Sequence, residues 1–158
     1  AFSTIHQTQD AQRALTWVLA NLARPGDAVH LAHALPESAA ASLQVHPGMW
    51  IPVEDEDAPG GVAEREEEAA AAAAVAMVRR RFVPALAASG LAFEVHLLSV
   101  PNDEPASIAA AVAAKAAALG AACVVVAHHP ASPLRSWWRG SVSVDVTKKA
   151  GVPTLVVH

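Results

Sequence analysis

Two tryptophans stand side by side at Trp137-Trp138, with Arg135 and Arg139 close on either side. Aromatic faces beside guanidinium groups suit stacking on a planar, negatively charged ligand. The same residues suit a packed loop in which one ring is buried and the other covers an oligomer contact. Both readings stand at this point. Just upstream lie His128 and His129. Neighbouring residues of an extended segment point to opposite sides, so one ligand can draw on only one of them easily. No carboxylate stands near enough in sequence to complete a metal set there, and no metal is expected. His30, His46, His96 and His158 have no partner that the sequence identifies.

The single cysteine, Cys123, excludes an internal disulfide and the usual Cys-based zinc clusters. Its apolar surroundings, from Ala121 to Ala127, suit inert core packing. There is no Gly-x-Ser-x-Gly elbow, no intact Walker loop and no pair of carboxylates in a foreseeable cleft. No catalytic set forms, and the chain reads as a binding protein before an enzyme.

These residues need elements to position them. A length of 158 residues points to a single domain over 1–158, since halves of that size would be short of a core. Hydrophobic residues make up 53 %, but 38 of the residues are alanine, which buries little area. No apolar run approaches the roughly 18 residues of a spanning helix, so no membrane is expected. The net charge of −4 and the scattered 11 Lys and Arg speak against nucleic acid, which calls for a basic stripe. Arg79-Arg80-Arg81 alone is weak evidence for it, and the acidic runs Glu54–Asp57 and Glu64–Glu68 read as solvated faces. No secretory signal opens the chain. The expected location is cytoplasmic, with organellar import after loss of a transit peptide left open.

Residues 1–6 read as the end of a strand. Ala11, Ala14, Leu15, Val18, Leu19 and Leu22 then form one helical stripe, closed by Pro25-Gly26-Asp27. Val29–Leu35 reads as a strand. The stretch 36–61, rich in Pro and Gly, predicts a long surface loop. A helix over 62–88 follows, with Pro84 breaking its regular part. Leu91–Val100 predicts a strand, and Pro105 opens a helix with Ile108, Val112, Ala116 and Leu119 inward. Cys123–Ala127 and Thr154–Val157 are apolar, β-branched runs of the kind found in parallel strands covered on both faces. Between them Ser141–Ala150 alternates like a strand. A parallel pair needs a crossover, however, and this favours a helix with Val142, Val146 and Ala150 inward. The order β-α-β-loop-α-β-α-β-α-β describes an α/β fold, a parallel sheet layered by helices. Ligands of such folds sit at the carboxyl ends of the strands.

Three stretches together resemble the universal stress protein family: Arg13–Leu19, the Pro25-Gly26-Asp27 to His33 segment, and Val124-Val125-Val126 leading through Gly140-Ser141-Val142-Ser143 to Val152–Val157. The resemblance covers nearly the whole chain outside 36–61. It implies a three-layer α/β/α, Rossmann-like fold of the adenine nucleotide alpha hydrolase type. Its five-stranded, mostly parallel sheet would run in the order 3-2-1-4-5. It also implies a homodimer through the last strand, Thr154 to Val157, and a structural role for His33.

In the family's binding class a Gly-x2-Gly-x9-Gly-Ser/Thr pattern follows the fourth strand. Its glycines admit phosphate, and its hydroxyl opens a helix whose free N–H groups attract anions. Here Ala127 and Pro130 hold the first two glycine positions, and Gly140-Ser141 is intact. Pro130 removes an N–H that would face phosphate. His6 replaces the acid that ends the first strand. The resemblance thus implies a degenerate site for ATP, AMP or another small anion. It would be formed by Ile5, His6 and Ala34 with Ala127, His128, Pro130, Arg139, Gly140, Ser141, Val142 and Ser143. His6 would meet one of His128 and His129 there. The alternatives are a member that binds no nucleotide and works through protein contacts, or a slow ATP hydrolase.

Overall fold

The computed structural model describes residues 5–37, 43–46, 49–52, 62–127 and 142–158. Helix α1 spans Ile5–Trp17 and continues as a π-helical turn over Val18–Leu22. There the Ala23 N–H donates to the Val18 carbonyl, five residues back, at 2.9 Å. Ile5 and His6 therefore lie on the first turn of a helix, which corrects the expected strand end. No Gly or Pro interrupts the sequence before Pro25. A helix also pairs its own backbone groups, whereas an extended segment would need a strand beside it. Ala14 and Leu15 are buried, as the helical stripe requires. Gly26, at φ 97°, turns the chain in a conformation that side-chain-bearing residues rarely adopt.

Strand β1 (Ala28–Pro36) follows. Within the expected loop, β2 (Leu43–His46) and β3 (Met49–Pro52) form an antiparallel hairpin with His46 opposite Met49. The segment 36–61 is thus not wholly loop. Val45, Trp50 and Ile51 are β-branched or aromatic residues of the kind that favours extended backbone. Helix α2 (Val62–Arg81) and the short α3 (Val83–Ala88) meet at Phe82, where φ is −113°. Pro84 lacks the N–H that would continue the ladder.

Strand β4 (Ala92–Val100) pairs with β1 in parallel, with Ala28 opposite Ala92 and Pro36 opposite Val100. Helix α4 (Pro105–Ala118) starts at Pro105. The extended Glu104 just before it accepts the Ser107 and Ile108 N–H groups. Ala109 and Ala116 are its buried residues, while Ile108 and Leu119 are only half-buried. The small side chains let the helix come closest there. Strand β5 (Val124–Ala127), helix α5 (Val142–Lys149) and strand β6 (Thr154–Val157) form a β-α-β unit, with β5 and β6 parallel. Helix wins over the alternating strand pattern of 141–150, because the crossover needs it. Lys149 Nζ donates to the Ala106 carbonyl at 3.0 Å, tying α5 to α4.

Among the described residues the core has two halves. Leu15 of α1, Val78 of α2, Phe82 at the α2–α3 junction and Leu86 of α3 pack on Val29, Leu31, Phe93 and Val95, and Leu35, Ala71 and Val75 extend the layer. On the other side Ala109, Val146 and Ala150 pack with Val112, Val124, Val126 and Val152. The described strands form the parallel pairs β1–β4 and β5–β6 beside the hairpin, with α1 lying next to β5 and β6. No described helix is long and apolar enough to cross a membrane.

Candidate functional site

The expected ligand edge lies at the carboxyl ends of the strands. Ala34 is half-buried near the end of β1, opposite Leu98. Ala127 ends β5 opposite Val157. Since β5 and β6 run in parallel, the amino end of α5 returns to the same edge as Ala127. There Val142 turns into the core against Val146 and Ala150, and Ser143 is buried. Val142 is therefore a packing residue. His128, Pro130, Arg139, Gly140 and Ser141 lie outside the described residues, as do Trp137-Trp138 and the expected meeting of His6 with His128 or His129.

His33 sits on the strand face that carries Leu31 and Leu35. Burial holds its pKa below the ordinary imidazole value, because a charged ring would lose hydration there. It is a neutral residue of the β1–α2 layer at pH 7. Cys123, expected in the core, is half-buried just ahead of β5, where the strand has not yet begun and cover is incomplete.

A second cluster occupies the opposite face of β1 and β4. Parallel register sets His30 opposite Glu94, and His96 follows two residues later on the same face. His30 Nδ1 lies 3.0 Å from His96 Nε2, a distance at which one ring's N–H donates to the other's lone pair. The rings are stacked at 5.2 Å between centroids. Glu94 Oε2 stands 3.6 Å from His30 Nδ1 and 3.5 Å from His96 Nε2. The His96 side chain is 13 % exposed and that of Glu94 65 %, so the group opens to solvent on the carboxylate side.

Burial lowers the pKa of His96, Lys115 of α4 and His30 push it the same way, and Glu94 opposes them. His96 is neutral at pH 7. Two imidazoles and a carboxylate converging on one point are a donor set for a divalent transition metal. The sequence had left His30 and His96 without partners. Glu94-x-His96 on a predicted strand was a same-face pair in sequence, but nothing there announced which strand would bring His30 beside it.

Residues 5–158 match the model of the universal stress protein family. None of the curated proteins matches the chain. Among solved structures, it is similar to hypothetical protein MJ0577, at 19 % identity over 94 % of this chain and 87 % of that one, with a TM-score of 0.62. The universal stress protein from Archaeoglobus fulgidus is 20 % identical over 94 % of this chain and 84 % of that one, with a TM-score of 0.49. A structure of the Archaeoglobus fulgidus protein in complex with dAMP is 22 % identical over 100 % and 92 %, with a TM-score of 0.43. At 19 % identity the first of these likenesses speaks to the fold.

Proposed function

The chain belongs to the universal stress protein family, and from that premise we propose that it is a ligand-sensing or interaction module. Its ligand is an adenine nucleotide or another small anion, held weakly where β5 leads into α5. The observation that carries this reading is the β5–α5–β6 crossover. Its parallel strands return the start of α5 to the carboxyl edge, directly after Gly140-Ser141. Free N–H groups and the helix dipole at such a start attract negative charge.

Ala127 and Pro130, in the places of two glycines, weaken the near wall of the site. His6, where the binding class has an acid, speaks against a metal-dependent hydrolase. Among the described residues β6 has β5 as its one strand neighbour, which supports pairing of its other edge with a second copy. The proposed setting is cytoplasmic.

A ligand specific to the folded state raises the melting temperature. ATP and AMP at millimolar concentration are expected to raise Tm, and Gly140→Asp combined with Ser141→Ala to abolish the rise. No rise with the unaltered protein would favour a member working through protein contacts alone. A rise that survives the double substitution would move the site away from α5.

A further inference from the structure

We propose that His30, Glu94 and His96 form a binding site for a divalent transition metal of the zinc type, on the face of the β1–β4 pair opposite His33. The three donor atoms are 3.0, 3.6 and 3.5 Å apart. Ligands about 2.1 Å from a tetrahedral zinc ion are separated by about 3.4 Å. The two Glu94 edges already lie close to that value, and the shorter His30–His96 edge opens to it by a small rotation of the His30 ring, the more exposed of the two. One face of a tetrahedron is already built.

The chemistry of the donors agrees. Two imidazole nitrogens with one carboxylate oxygen suit zinc, copper or nickel, whereas calcium and magnesium call for all-oxygen sets. Without an ion, the two ring nitrogens and the carboxylate oxygen crowd together with one N–H to share between the rings. A divalent cation gives each a partner. The fourth position opens to solvent, where water completes the coordination. Lys115 opposes the cation from α4, and the Glu94 charge offsets it.

The strands themselves are the support. His30 is held by the β1 ladder, Glu94 and His96 by β4, and a strand places residues more rigidly than a loop does. The site stands toward the amino ends of both strands. It is roughly 20 Å along β1 from the carboxyl edge at Pro36, at ~3.3 Å per residue. It is therefore separate from the nucleotide reading, and neither depends on the other.

The test is a titration of the full chain, free of any polyhistidine tag, with Zn2+ against a chromophoric chelator. One equivalent of Zn2+ is expected to bind. His30→Ala, His96→Ala and Glu94→Gln are each expected to weaken binding at least tenfold, while His33→Gln, on the opposite face, leaves it unchanged. Co2+ in place of Zn2+ is expected to give the intense visible bands of a four-coordinate site. Circular dichroism checks the fold of each variant, and Glu94→Gln, at an exposed position, serves if a histidine variant misfolds. Failure of the unaltered protein to take up Zn2+ would overturn the proposal. So would unchanged affinity in the His30→Ala/His96→Ala double variant.

Discussion

Nδ1 of His30 and Nε2 of His96 meet at 3.0 Å although the two residues are 66 apart in the chain. Neither local propensity nor a motif brings them together. The parallel register of β1 and β4 does, by setting Ala32 opposite His96 and His30 opposite Glu94. A slip of one residue would turn one set to the other face and disperse the group.

Lys115 lies close enough to depress the pKa of His96, and its charge repels any cation placed there as well. Lys115→Met keeps most of the side chain's bulk and removes that charge. Zn2+ affinity is expected to rise by roughly two- to fivefold, the scale of a partly screened charge–charge contact. The same chelator competition measures it, and an unchanged constant would mean that Lys115 does not act on the ion.

His33 makes stability depend on pH. Burial lowers its folded-state pKa, whereas in the unfolded chain it returns to about 6.5. Between those values the unfolded chain binds more protons, so stability rises with pH there. This contribution is fully present above pH ~6.5 and is lost as pH falls toward the lowered folded value. Denaturant midpoints at pH 7.5 and pH 5 are expected to separate less in His33→Gln than in the unaltered protein.

Leu86 of α3 is 0 % exposed and packs with Leu15, Val78 and Phe82. Its replacement by alanine removes buried methyl groups and leaves a cavity where three helices meet. Leu86→Ala is expected to lower the unfolding free energy by about 2–5 kcal/mol, read from denaturant curves at constant slope. A loss under ~1 kcal/mol would show that α3 closes over the gap.

Much of the scaffold was legible because its signals are local. Pro84 interrupts the long helix, Pro105 opens the next, and Val142, Val146 and Ala150 line one side of α5. The start of the chain was not. Ile5 and His6 suit either strand or helix by composition, and the preference for helix depends on whether a strand lies alongside to pair with. The hairpin of β2 and β3 was hidden by the prolines and glycines around it, which read as a loop until two short runs pair across them.

For the candidate site the division follows the same line. The Gly140-Ser141 pair ahead of an apolar helical stripe is contiguous, so its likeness to a family pattern is visible without a fold. The His30, Glu94 and His96 group is not contiguous. Sequence alternation shows Glu94 and His96 on one face of a strand, and it shows His30 on one face of another. Which strands pair, in which direction and in what register depends on how helices α1, α2 and α3 pack against the opposite face of β1 and β4. That packing is a sum over many distant apolar contacts and leaves no mark at the three residues themselves. By itself the sequence determined the family and the elements whose signals are local, from α2 onward; tertiary structure alone decided the start of the chain, the hairpin, and that two unremarked histidines and a glutamate would converge.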